Sequence, residues 1–415
     1  MFKCGFYESD ITPKLGFCMP GQFNDRPSKS VKDNLFAHAY AFTDGVKTVI
    51  MISLDTIVID ARDVKRMRKG INSVTGVSCE NIYIAAIHSH TAGPVSTLYN
   101  TERNEEYIEF LIGRVVDAGI VAFNRMAPAK LGYASTDVRG VAFNRRWVMS
   151  DGRVQTNPRP DSDDIVLPAD VTDPQLIVVR IDNEDGSPMG VITNFALHLD
   201  CVGGDSFSAD YPGVIRNIIK SKYGYDCGFM FLNGCCGNIN HIDFVNAKRR
   251  TYKEIGEILA ASVIDLFDKI ETSADISVDV DREFITAEIR LPTAEEIANP
   301  TFHHLIVREM KKALEMGGGE IECEIMSIAL GDLAFTGLPG EMFCIFGHMV
   351  KNGSPYKMNI VSELTNAQLG YVYTREAKRL GGYESTASTY TRLNEEAGYL
   401  MVGAAIKNLR KMIKR

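Results

Sequence analysis

Residues 81–94 read NIYIAAIHSHTAGP. The run 81–87 is short, apolar and rich in β-branched and aromatic residues, and Gly93-Pro94 stops regular structure, so the pattern predicts a buried strand. Side chains alternate along a strand, which sets His88 and His90 on one side and Ser89 on the other. Two imidazoles leaving a strand end together can share a metal ion, or one can bind it while the other handles a substrate proton. The same pair can equally be two hydrogen-bonded core histidines, and the rest of the chain has to decide. Two other predicted strands end in comparable groups. GVITNFALHLD carries His198 to its C-terminal end, and GLPGE places Glu341 just past a strand, at the head of a helix over 342–351. Carboxyl ends of strands are where α/β folds gather functional groups. Two histidines, one glutamate and an open position for water form a common catalytic zinc set, and the ion lowers the pKa of bound water to about 7 while polarising a carbonyl.

The elements that must hold these groups alternate between strands and helices. The pattern predicts strands at 3–7, 35–42, 47–54, 81–87, from 130–133 onward, 176–180, 190–198, 228–232, 276–290, 322–331, 333–336 and 359–364. Helices are expected at 60–75, 105–126, 213–222, 251–270, 294–314, 342–351 and 393–414. Gly331-Asp332 marks a tight hairpin, and residues 150–174, polar and rich in Pro and Asp, predict a surface excursion. The loop Asn233–His241, NGCCGNINH, follows a buried strand, where glycine-rich backbone can offer N–H groups to an oxyanion. Arg145 and Arg146 beside the single tryptophan, Trp147, fit either a substrate anion or an arginine covering the indole. His303, His304 and His348 fall on predicted helices as surface or groove residues.

The chain has 415 residues, 45% hydrophobic and 24% charged, as a soluble globular protein with a substantial core requires. A formal charge of −8 gives no reason to expect nucleic acid as a partner. No apolar run is long enough to span a bilayer. Nine scattered cysteines without a CxxC pair, and no secretion signal at the N-terminus, lead us to expect reduced thiols and a cytoplasmic location. With no repeat and no clean linker, one large domain over 1–415 is expected; the oligomeric state is not legible.

Several ordered motifs resemble the neutral (non-lysosomal) ceramidases and their bacterial relatives. GFYESDITP is similar to that family's G-x-A-D-I-T start, IHSHTAGP to its T-H-T-H-S-G-P element and FNRR to its I-N-R-S. NFALHLD resembles N-x-x-x-H, SADYPG resembles S-x-D-x-x-G, and GLPGE resembles V-P-G-E. GYVYTREAKRLGGYEST is similar to G-Y-V-T-T-x-E-E-Y-x-x-x-x-Y-E-G-A-S-T. The resemblance implies stacked mixed sheets flanked by helices in an α/β/β/α sandwich. It implies zinc on His88, His198, Glu341 and the hydroxyl of Tyr371, with His90 beside the metal and Arg145 near the scissile amide. Asp55 and Asp210 are acidic groups able to orient the histidines.

The chain departs from that pattern where the family's G-D-V-S-P-N element carries its serine nucleophile. Here Gly237–His241 reads GNINH, so Asn240 stands at the serine and Asn238 at the aspartate, and Lys32 falls on an early family histidine. With little sequence after the last predicted helix, we expect no counterpart of that family's C-terminal immunoglobulin-like domain. Three readings follow. Metal-activated water attacks an amide or ester, with His90 or His241 as acid/base and Asn240 with Arg145 holding the oxyanion. Alternatively Cys235 or Cys236 is the nucleophile, although neither is marked as activated. The third is a degenerate relative that binds a metal or ligand without turnover. The expectation is the first, a zinc hydrolase of a small amide or ester substrate rather than a sphingolipid.

Overall fold

The computed structural model describes residues 1–300 and 304–414. His303 and the side chain of His304 lie outside them. Eight strands form one mixed sheet in the order Gly228–Asn233, Pro188–Phe195, Gln175–Asn183, Ala127–Asp137, Lys3–Asp10, Phe36–Thr43, Thr48–Leu54, Ile82–Ala86. Four more form a second sheet: Val278–Ile289, Gly319–Leu330, Leu333–Gly337, Met358–Ser362. The period-2 pattern of each strand separates two faces. In Thr48–Leu54, Val49 and Met51 turn to a core shared with Phe335, Ile328 and Ile360 of the second sheet. Ile50, Ile52 and Leu54 turn the other way, to a core shared with helices Ala61–Thr75 and Glu105–Asn124. Helices Cys344–Gly353 and Ala397–Met412 cover the far face of the second sheet with Phe346, Val350, Met401 and Ala405. The layers are helix, sheet, sheet, helix, as expected.

Within these two sheets most neighbours are antiparallel, but three pairs are parallel: Thr48–Leu54 with Ile82–Ala86, Pro188–Phe195 with Gly228–Asn233, and Leu333–Gly337 with Met358–Ser362. Parallel strands need a crossover, and each pair is joined through a helix: Ala61–Thr75, Tyr211–Tyr223 and Cys344–Gly353. His88, His198 and Glu341 each follow a strand of one of these pairs. The large sheet also curls until its edges meet. Ser53 Oγ donates to the Phe231 carbonyl at 2.5 Å, and Asn233 Nδ2 donates to the Ile87 carbonyl at 3.1 Å. Strand twist accumulates in this way across a wide sheet. It brings the His88 end and the His198 end, which lie on opposite edge pairs, to the same place.

Several boundaries differ from expectation; the helix expected over 294–314, for instance, is two, Ala294–Ala298 and His304–Met316. Residues 150–174 are not a bare excursion, because Val154–Thr156 and Ile165–Pro168 pair on either side of Arg146–Met149. The last helix begins at Ala397, not 393, since Leu393 is held in a bridge to Ile289.

Candidate metal centre

His88 and His90 converge, but not through strand alternation. The strand ends at Ala86, and His88 takes a left-handed backbone conformation with φ +76°. Such a conformation is uncommon for a residue with a side chain and is held here by its surroundings. The N–H groups of His88 and Ser89 both donate to the Thr56 carbonyl, at 2.9 and 3.1 Å, and that of His90 donates to the Leu199 carbonyl at 3.1 Å. The turn therefore runs alongside the segment that carries His198. Glu341 begins a two-residue strand paired in parallel with Tyr371–Val372, and Glu341 and Tyr371 are register partners. Gly237 lets the loop after Gly228–Asn233 press against that strand. A Cβ at Gly237 would lie 2.6 Å from the Glu341 carbonyl oxygen, so only glycine fits.

The three imidazole Nε2 atoms form a triangle: 3.1 Å from His88 to His198, 3.1 Å from His90 to His198 and 3.3 Å from His90 to His88. Glu341 Oε2 is 3.2 Å from His88 Nε2 and 4.0 Å from His198 Nε2, and it is buried without a hydrogen-bond partner among the described residues. The tautomers follow from the other ring nitrogens. His88 Nδ1 lies 2.8 Å from the Ile57 carbonyl and His90 Nδ1 3.2 Å from the Gly21 carbonyl. A carbonyl only accepts, so both Nδ1 atoms carry the proton and both Nε2 atoms offer lone pairs. Burial holds His90 and His198 well below the usual imidazole range, and a proton on His88 would push both lower still. Burial works against ionisation of Glu341 too, but His88 and Arg145 overcome it and keep the carboxyl below its ordinary value. Acceptors converging at these distances repel one another unless a cation lies among them. His88, His90 and His198 together can hold a metal ion.

Other expected site residues stand as follows. Tyr371 packs its ring 5.3 Å from the Arg145 guanidinium and 5.6 Å from the ring of Tyr390. Arg145 and Arg146 both ion-pair with buried Glu384, at 2.7 and 2.8 Å. Arg145 Nη2 also donates to the Gly237 carbonyl at 2.6 Å. Trp147 packs on Phe244 instead of under an arginine. Asn240 is braced, its Nδ2 donating to Asn157 at 2.7 Å and its Oδ1 accepting from Ile242 N–H at 3.0 Å. His241 Nε2 accepts from Arg249 at 3.0 Å, so its lone pair is already taken.

The loop Asn233–His241 offers less backbone than expected for an oxyanion. The N–H groups of Gly234, Gly237 and Ile239 donate to the carbonyls of Phe195, Met342 and Cys236, and Cys236 N–H donates to Glu363. Asp55 and Asp210 touch none of the three histidines. Asp55 accepts from Phe36 N–H and Arg216, and Asp210 from the N–H groups of Cys201, Val202 and Tyr211. Backbone carbonyls orient His88 and His90 instead. Behind His198 stands Cys236, with Sγ 3.7 Å from Nδ1. Its thiol, like that of Cys235, is pushed well above the usual range by burial and by Glu363, which leaves no thiolate nucleophile. His348 accepts no site role; it bonds the Thr172 carbonyl.

A family model described as neutral/alkaline non-lysosomal ceramidase, N-terminal, matches residues 2–210. The chain belongs to this ceramidase family. The match includes His88, His90, Arg145 and His198, while Glu341 and Tyr371 lie beyond it. Among solved structures, a ceramidase complexed with C2 superposes with a TM-score of 0.77 at 16% identity, covering 100% of this chain and 75% of that one. The neutral ceramidase from Pseudomonas aeruginosa gives a TM-score of 0.77 at 18% identity, covering 99% of this chain and 75% of that one. At these identities the likeness establishes the ceramidase fold. Among the described residues, no helix is long and apolar enough to cross a membrane.

Sequence reasoning missed Tyr390, which donates to Glu341 Oε1 at 2.5 Å, and Glu384, the shared partner of both arginines. Glu384 sat in view within the ceramidase-like GGYEST stretch. A glutamate beside a motif tyrosine, far from two adjacent arginines, was the available signal.

Proposed function

We propose that this ceramidase-family chain is a zinc-dependent hydrolase of a small amide or ester. The observation that carries it is the convergence of His88, His198 and Glu341 on one point, with Glu341 Oε2 buried and unpartnered. Two nitrogens bound tetrahedrally at about 2.0–2.1 Å to one zinc stand roughly 3.3 Å apart, which the imidazole triangle matches. Tyr371, register partner of Glu341, is the fourth ligand in this reading, as the family resemblance implies. When bound, the ion lowers the pKa of a water it holds and polarises the substrate carbonyl.

The chain's own residues supply the rest. His90 is neutral, with Nε2 held as an acceptor by its Nδ1 bond to Gly21, so it takes a proton from the attacking water and returns it to the leaving group. Arg145, fixed by Glu384 and Gly237, holds positive charge against Tyr371 and stabilises developing negative charge on the carbonyl oxygen. Asn240, in place of the family serine, supports the loop through Asn157 and Ile242. Water is therefore the nucleophile.

Metal analysis of protein purified without added metal tests this reading. About one zinc per chain is expected from the tetrahedral donor set, with loss in His198→Ala. His90→Ala should keep the metal and lose turnover of amides and esters; loss of metal would move His90 into the ligand set. No metal in the native protein would sink the proposal and leave a binding protein.

A further inference from the structure

Three buried side chains behind the metal donors are used by no step above. Asn233 ends the strand Gly228–Asn233, Cys236 lies in the loop that follows, and Glu363 comes directly after the strand Met358–Ser362. All three are at most 1% exposed. They bond to one another. Cys236 Sγ donates to Glu363 Oε1 at 3.0 Å and accepts from Asn233 Nδ2 at 3.3 Å. Glu363 N–H donates to the Asn233 carbonyl at 3.2 Å. The group also reaches every segment that carries a metal donor. Asn233 Nδ2 donates to the Ile87 carbonyl at 3.1 Å, and Asn233 Oδ1 accepts from Leu197 N–H at 3.4 Å. Glu363 Oε2 accepts from Met342 N–H at 3.0 Å. Ile87, Leu197 and Met342 are the chain neighbours of His88, His198 and Glu341.

Cys236 touches a donor itself, with Sγ 3.7 Å from His198 Nδ1. A thiol carries one proton and has lone pairs to accept with. Its proton goes to Glu363, so the lone pairs receive Asn233 and an Nδ1–H of His198, which leaves the His198 Nε2 lone pair for a metal. Glu363 ion-pairs with no Lys or Arg among the described residues, and burying a carboxyl without a cation is costly. A core that needed only filling would carry an apolar side chain there. We propose that Asn233, Cys236 and Glu363 are positioning residues that set His88, His198 and Glu341 on one point, with Cys236 fixing the tautomer of His198. This rests on the metal-centre reading and adds to it the groups that align the donors from behind.

The probe is cobalt(II), titrated into metal-free protein and followed by its visible absorption, which reports affinity and coordination geometry together. Cys236→Ala should bind cobalt roughly tenfold to a hundredfold more weakly than the native protein. Cys236→Ser, whose hydroxyl also donates once and accepts, should recover most of that loss. Glu363→Gln should weaken binding too, because an amide accepts through one oxygen only and turns its NH2 towards a donor. Urea unfolding of the metal-free proteins shows which variants keep the fold. The native protein gives a second reading that needs no variant to fold well. Its Cys236 S–H stretch in the Raman spectrum, assigned by its loss in either Cys236 variant, should lie below those of the other thiols. A free-thiol frequency overturns the proposal. Equal cobalt affinity in native protein and Cys236→Ala, or a serine no better than alanine, overturns it as well and leaves the metal centre standing. No cobalt uptake by native protein overturns both. Uptake weakened in Cys236→Ala and restored in Cys236→Ser, without turnover of any amide or ester by the native protein, sustains the positioning role and overturns the hydrolase.

Discussion

Tyr390 donates to one oxygen of Glu341 at 2.5 Å and so decides which oxygen faces the histidines. Groups that orient a ligand from behind typically carry a tenfold to hundredfold effect on metal affinity. Tyr390→Phe should therefore weaken zinc binding by about 10–100-fold while leaving the fold intact, measured by competition with a chelator. Unchanged affinity would show that packing alone orients Glu341. His88, His198 and Glu341, which the fold brings together, stood out in the sequence because each lies just past a predicted strand end. Tyr390 did not, because nothing in a polar loop 49 residues from Glu341 distinguishes its hydroxyl from that of any other tyrosine. The tautomers were equally out of reach, since they depend on the carbonyls of Ile57 and Gly21.

Strands and helices are tied to each other by buried charge, and two consequences belong to that scale. Glu384 compensates Arg145 and Arg146 at once, and all three side chains are at most 7% exposed. Removing one partner of such a group leaves uncompensated charge, so Glu384→Gln should cost about 3–5 kcal/mol in urea unfolding. A shift within error would mean that water reaches the guanidinium groups. The second case links Lys3–Asp10, Phe36–Thr43 and helix Tyr211–Tyr223. Glu8 lies 3.3 Å from His38 and 2.6 Å from Lys220. Burial disfavours its charge, but His38 and Lys220 outweigh that and bring its pKa down to about 2. A depressed carboxylate stabilises the fold fully above its unfolded pKa, about 4.5, and loses that contribution as pH falls towards about 2. Glu8→Gln should flatten the stability profile over that window in denaturant titrations at stepped pH. An unchanged acid limb would place the acid sensitivity elsewhere.

Across the whole molecule, the shared core between the two sheets holds the layers together. Phe335 is fully buried in it, among residues such as Ile328 and Ile360. Phe335→Ala should destabilise by about 3–5 kcal/mol, read by thermal or denaturant unfolding. A much smaller loss would show that the sheets can close over the cavity. The alternation of strands and helices was legible here from periodicity. The sheet order was not, because a period of two tells which face of a strand is buried and nothing about its neighbour. Lys3–Asp10, for instance, lies between Phe36–Thr43 and Ala127–Asp137, a pairing that local sequence does not encode. The curl that joins the two sheet edges was hidden for the same reason.

The close backbone contact at Gly237 has a thermodynamic corollary. The histidines leave the large sheet, the glutamate leaves the small one, and the contact exists only once both sheets have docked. Residues 88, 198 and 341 are remote along an unfolded chain, so the proposed zinc would have no high-affinity partner until folding is complete. Ligand that binds only the native state raises its population by mass action, by about 2.7 kcal/mol at a hundredfold excess over Kd. Zinc should thus act as a late lock on the protein: the melting temperature should climb with the logarithm of free zinc, and refolding should gain metal only in its last phase.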